Sequence, residues 1–382
     1  PARRNLVIGT AAAASEVPPR TIGDIQALLN QYEPDPKRVE ALKFEFELPP
    51  PENADLADLS RHYERHAWAA DQLGRTEERL AALRDLVRIS QGMPNEATYK
   101  IELALAEIQS GNNLNALKLY EGLIANPKSQ PGTLVSANFA LARMYALMAD
   151  KPNMQAAFRR GEATLERVRI FPAARPFLPS WFALREWARG ELFLAQGKLD
   201  EAESALRRSV SGLEGLLKQS NSPERASSAI ESGYLSVSGR LITVMTARGK
   251  LPEAELLARA TLRTALTLRG KYHMITGLTL TRFADLLNEQ GRFAYGAAMA
   301  DAALDVFDRS GAPVGSGFRS IALSFRGDSL VAMGNWAEAA RSFLSIRGMS
   351  QGDEVAEKVF RGTSSSLLAQ IKAVSYTHLT LP

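Results

Sequence analysis

Two stretches decide the fold: EQGRFAYGAAMADAA (residues 289–303) and AMGNWAEAARSFLSI (residues 332–346). They align on one glycine each, Gly291 and Gly334, 43 residues apart. The same register recurs in QLGRTEERLAALRDL (72–86), QSGNNLNALKLYEGL (109–123), AQGKLDEAESALRRS (195–209) and ARGKLPEAELLARAT (247–261), on Gly74, Gly111, Gly197 and Gly249. Seven residues before the glycine stands a small side chain: Ala67, Ala104, Gly190, Ala284 or Gly327. Five residues after it stands another: Ala116, Ala202, Ala254, Gly296 or Ala339. Larger residues that fill a seam come at nine and twelve, as in Tyr120 with Leu123 and Phe343 with Ile346. These offsets lie on one helical face. Each unit therefore reads as a helix, a turn at a glycine that tolerates left-handed backbone, and a second helix crossing close to the first.

Composition narrows the classes further. The 382 residues are 45% hydrophobic and 23% charged, which excludes a disordered chain. Forty-six basic against 42 acidic residues leave a net charge of +4. The short pairs Arg159-Arg160 and Arg207-Arg208 are interleaved with Glu162, Glu166 and Glu203, so no nucleic-acid partner is expected. The absence of cysteine rules out disulfides, thiolate metal sites and a thiol nucleophile within these residues. No apolar run reaches the roughly 18 residues a membrane span requires.

With its units in register over residues 58–348, the chain resembles the tetratricopeptide repeat (TPR) family. The resemblance implies an all-α, right-handed superhelical solenoid of about seven helical hairpins with a concave inner surface. The spacing of 42 to 43 residues in the later units predicts helices longer than those of the usual 34-residue unit. A seventh, degenerate unit has Ala142, Tyr145 and Ala149 in its first helix, with Lys151-Pro152-Asn153 read as a lengthened turn and Ala156 and Ala163 two residues late. The first unit departs at Arg79, where a small residue is expected. The Pro-rich stretch from Phe171 to Trp181 interrupts the array, and Asn221-Ser222-Pro223 is read as a loop.

Outside the array, residues 21–57 read as a helical lead-in: a short helix around Ile22 to Gln31, a Pro-opened helix from Asp35-Pro36, and the linker Pro49-Pro50-Pro51. Residues 1–20 read as a leader. The order Arg3-Arg4, Leu6 to Thr10 and Ala11 to Ala14 resembles the end of a secretory signal, so a periplasmic or exported protein is expected, with a cytoplasmic one as the alternative. Because the first residue is proline, the chain is expected to be trimmed or to come from an incomplete gene. Residues 349–373 read as the start of a further, truncated helical unit. The run Val374 to Pro382 resembles a translated sequencing adapter and is set aside as non-native, so the natural protein is expected to continue past Lys372 into sequence this chain lacks. The order of lead-in, Pro linker and repeats is similar to bacterial TPR proteins that end in a caspase-like CHAT domain.

Candidates for chemistry are few. His62 and His66 share a helix face, but Tyr63 stands where a zincin helix carries its glutamate, so packed histidines are the preferred reading over a metal site. His273 stands alone in a loop. Gly311-Ala-Pro-Val-Gly-Ser-Gly317 comes after a helix and lacks the lysine of a phosphate loop, so it reads as a linker. No motif calls for a cofactor, and no catalytic constellation is recognisable.

The TPR resemblance places ligands along the first helix of each hairpin. On those faces lie Arg143, Trp187, Glu191, Asp285, Asn288 and Asp328, the candidate partner-binding residues. Mixed acids and apolar groups there argue against a clamp for a carboxylate tail. The expected function is a non-enzymatic scaffold binding a peptide or protein partner in the concave groove. The alternative is the sensing arm of a CHAT protease whose catalytic domain is missing from this chain.

Overall fold

The computed structural model describes residues 18–219 and 224–349. The leader before residue 18, the Asn221-Ser222-Pro223 loop, the unit after residue 349 and the Val374–Pro382 run lie outside the described residues. The described residues are all-α. Two lead-in helices, α1 (Gly23–Asn30) and α2 (Pro36–Glu47), precede seven hairpins. The hairpins are α3 (Leu56–Gln72) with α4 (Thr76–Ile89), α5 (Glu96–Gln109) with α6 (Asn113–Ala125), α7 (Pro131–Leu147) with α8 (Lys151–Val168), and α9 (Leu178–Ala195) with α10 (Leu199–Gln219). They continue as α11 (Glu224–Ala247) with α12 (Leu251–Leu268), α13 (Met274–Glu289) with α14 (Phe293–Arg309), and α15 (Gly317–Ala332) with α16 (Trp336–Met349). From α2 onward each helix packs on the next in sequence, and first helices pack on first helices, α7 on α9, α11 on α13 and α13 on α15. That is a helical-repeat solenoid.

The turn glycines do what their register requires. At Gly291 φ is +72°, and Arg292 N–H donates back to Leu287 C=O at 2.8 Å. This six-residue closure satisfies a carbonyl that the helix end would otherwise leave bare. The small residues mark close crossings: Ala104, Ala116, Ala202, Ala254, Ala284 and Ala339 are buried. A methyl added at Gly190 would lie 2.7 Å from the Leu206 side chain. Tyr120, Leu123, Phe343 and Ile346 fill the seams, each burial stabilising by about 1.5–3 kcal/mol.

The degenerate unit corrects the sequence reading. Ala149 does not belong to the first helix; it is the turn residue itself, at φ +56°, and Asp150 N–H closes onto Tyr145 C=O at 2.9 Å as at the glycine turns. Lys151-Pro152-Asn153 is accordingly the first turn of α8, with Asp150 capping it by accepting from Asn153 N–H at 3.1 Å. Counted from Ala149, the small residue has moved. Met154 stands at plus five, and Gly161 at plus twelve accepts the ring of Phe139, which a methyl would meet at 2.8 Å. Large and small are exchanged across the same seam.

The solenoid also closes on itself. The turns of the first two hairpins rest against the loops that come after the fifth and sixth. Gly74 lies on the Tyr272 carbonyl, Thr76 N–H donates to Ser310 C=O at 3.1 Å, and Gly111 abuts Ser316 and Gly317. The lead-in joins the same closure. Ile22, just before α1, and Ile25 and Leu29 within it share one apolar core with α12 and its neighbours, Arg259 holds Asp24 at 2.6 Å, and Lys271 Nζ donates to Leu29 C=O at 3.0 Å.

Candidate functional site

The first helix of every hairpin presents one stripe to the inside of the closed turn. Its positions fall six and nine residues before the turn residue, a spacing that stays on one helical face. At minus six stand Trp68, Leu105, Arg143, Glu191, Thr243, Asp285 and Asp328; Arg240 and Arg282 stand at minus nine. The expected residues Arg143, Glu191, Asp285 and Asp328 are thus equivalent positions of four repeats.

Their geometry is specific. The Arg143 guanidinium lies 3.8 Å over the Trp187 ring. Trp187 Nε1 donates to Glu191 Oε1 at 3.3 Å, and Arg240 grips both Glu191 oxygens at 2.7 and 2.6 Å. Burial alone would push the Glu191 carboxyl up; Arg240's charge and hydrogen bonds outweigh it and hold it below its ordinary value. Arg143 is pushed down by burial, and its Nη1 has no hydrogen-bond partner. Arg282 makes no hydrogen bond or ion pair among the described residues, and burial reinforced by repulsion from Arg240 pushes it down to about 10. Asp285 and Asp328 are pushed up to about 6, both foremost by burial. The inner face therefore carries the cations Arg143, Arg240 and Arg282 on α7, α11 and α13, with Glu191 of α9 claimed by Arg240, and the acids Asp285 and Asp328 on α13 and α15.

Asn288 is brought to this region but spends its amide on structure: Nδ2 donates to Phe325 C=O at 2.9 Å and Oδ1 accepts from Ser329 Oγ at 2.6 Å, fastening α13 to α15. Sequence reasoning missed Arg240 and Arg282, although their equivalent place, nine residues before Gly249 and Gly291, was a signal that could have found them. On the other side of the turn, the inner positions of α3 and α5 border a recess of about 250 Å³ shared with α11, lined by Trp68, Tyr99, Glu102 and Leu105.

The histidines divide. His66 stacks on Phe46 with ring centroids 4.3 Å apart, and His62 lies 5.9 Å from His66. His273 does not stand alone as expected. It caps α13, Nδ1 accepting from Ile275 N–H at 3.1 Å, while Nε2 lies 3.2 Å from Asp71 Oδ1. Because Nδ1 accepts, Nε2 carries the proton that Asp71 receives. Asp71 also pairs with Arg79 and with the buried Arg269, each at 2.8 Å. Arg79, the departure in the first repeat, thus serves the closure.

Comparisons with known proteins bear on the fold. No family model matches the sequence, and no curated protein matches it. Among solved structures, the chain is similar to a Rap protein complexed with competence and sporulation factor, at 11% identity and TM-score 0.51, over 92% of this chain and 98% of that one. It is also similar to a signal transduction ATPase with numerous domains carrying a tetratricopeptide repeat sensor, from Pyrococcus horikoshii, at 13% identity and TM-score 0.49. That match covers 90% of this chain, which spans half the length of the ATPase. A third likeness is to a tetratricopeptide repeat protein from Parabacteroides merdae, at 15% identity and TM-score 0.39, over 82% of this chain and 99% of that one. At identities this low, likeness speaks to fold alone.

Proposed function

We propose that this chain is a non-enzymatic scaffold of the tetratricopeptide type that binds an extended peptide or protein segment along its inner face. One observation carries the reading: charged and aromatic side chains recur at the same register on the first helices, and the buried Arg282 among them makes no hydrogen bond or ion pair among the described residues. Asp285 and Glu191 attract it only from beyond ion-pair reach, so the cost of burial prevails, and a bound carboxylate in contact would offset that cost. The polarity from Arg143 to Asp328 selects a segment with an acidic group toward α7 to α13 and a basic group toward α15. Rap, a structural relative of similar length, is described in complex with competence and sporulation factor, which accords with a ligand-binding role.

The test is selection of binders from a random peptide library on the full chain, with calorimetry of the enriched peptides. Arg143→Ala, Trp187→Ala and Arg282→Ala are each expected to weaken binding roughly tenfold or more. If all three retain full affinity, the groove is not the site.

A further inference from the structure

The Pro-rich interruption between α8 and α9 forms an edge that the groove does not use. Residues 171–181 run through a 3-10 turn, Pro172–Phe177, braced by Pro172, Pro176 and Pro179. Of the large apolar side chains exposed among the described residues, three fall within eight positions here: Ile170 at 73%, Phe171 at 57% and Phe177 at 56%. Phe177 stacks on Trp181 at 5.6 Å, and Trp181 packs on Gly132, which brings the loop before α7 alongside.

The charge of this edge is predominantly positive. Residues 122–142 and 167–185 contain no acid, yet carry Lys128, Arg167, Arg169, Arg175 and Arg185. Arg169 and Arg185 are answered by the flanking Glu166 and Glu186. Lys128, Arg167 and Arg175 have no ion-pair partner among the described residues. Side chains more than half exposed on a stiff turn are knobs, not a groove. A protein partner must supply a matching hole for each knob, whereas a fluid interface accommodates them wherever they project. Apolar and aromatic knobs interleaved along the chain with basic residues fit the boundary of an anionic bilayer, where rings enter beside the headgroups and arginines meet phosphates.

We infer that this edge docks on an anionic membrane surface, with Ile170, Phe171 and Phe177 entering the interface and Lys128, Arg167 and Arg175 facing the headgroups. The inference is independent of the groove: peptide binding can fail while this stands, and the reverse.

The experiment is flotation of the full chain with two kinds of vesicle, phosphatidylcholine alone and phosphatidylcholine with roughly one-third phosphatidylglycerol, at about 0.1 M salt. Binding to the anionic vesicles is expected to be about tenfold tighter than to the neutral ones and to weaken with added salt. A triple variant, I170S/F171S/F177S, is expected to lose that binding about tenfold with its thermal melt unchanged, since all three side chains are exposed. The control F44S/L56S removes exposed apolar groups elsewhere and is expected to bind like the parent. Absent binding to the anionic vesicles overturns the inference, as does equal loss in the control or full binding by the triple variant. An acidic protein that binds the parent but not the triple variant, when anionic vesicles bind neither, would assign the edge to a protein partner and overturn it as well.

Discussion

Asp71 receives hydrogen bonds or charge from Arg79, Arg269 and His273, and all but Arg79 are fully or nearly buried. Burial alone would raise its carboxyl, but these partners hold it well below the usual carboxylate range. A depressed carboxylate contributes stability that is present above its unfolded value near 3.8 and is lost only as pH falls toward the folded one. Asp71→Asn is therefore expected to cost about 3 kcal/mol in denaturant melts at neutral pH, because the buried Arg269 loses its nearer carboxylate and keeps only Glu231 at 3.2 Å, and the deficit shrinks below about pH 4. Asp285 has the opposite sign. Its folded value is raised to about 6, so its charge weighs against folding above that pH and not below about 4. Asp285→Asn is expected to stabilise by about 1 kcal/mol at pH 7.5, discounted for partial exposure, with no gain at pH 4. An unchanged melt at both pH values would contradict the desolvation described at α13. The sequence placed Asp285 on the inner face by register alone. It did not reveal that Glu191 would be claimed by Arg240, because that choice depends on which first helices lie side by side.

At the scale of the helical hairpin, most of the architecture is readable from residue type. A glycine, a small residue seven before and another five after are enough, because turn geometry and close crossing each admit few side chains. The third hairpin escaped that reading for a physical reason. An alanine took the left-handed position, and the small seam residue moved to Gly161, so both signals were displaced while the closure was kept. Left-handed backbone costs a non-glycine residue about 1–2 kcal/mol. Ala149→Gly is thus expected to raise stability by up to about 1 kcal/mol after glycine's own entropy is counted. Gly161→Ala is expected to lower it by about 1–3 kcal/mol, since its methyl would meet the Phe139 ring. Thermal melts of the two variants that shift in the same direction would refute the exchange of large and small across that seam.

For the molecule as a whole, closure was not legible. Its contacts join loops and caps that carry no periodic signal, such as Gly74 on Tyr272 and His273 on Asp71. Closure makes the lead-in part of the fifth hairpin. Ile25→Ala is expected to cost about 2–4 kcal/mol and to speed amide hydrogen exchange in α12 as well as in α1. Faster exchange confined to α1 and α2 would show that the lead-in is a loose appendage. Closure also has a consequence in time. The side chains of Asp71 and Arg269 are 198 residues apart along the chain, and those of Asp24 and Arg259 are 235 apart. At roughly 5–20 residues per second, a ribosome needs about 10–50 s to deliver the second partner after the first. Throughout that interval Ile22, Ile25 and Leu29 have emerged without the surface that covers them. The hairpin synthesised first therefore stays incomplete until the fifth has been made, and its Thr76 contact waits for Ser310 after the sixth.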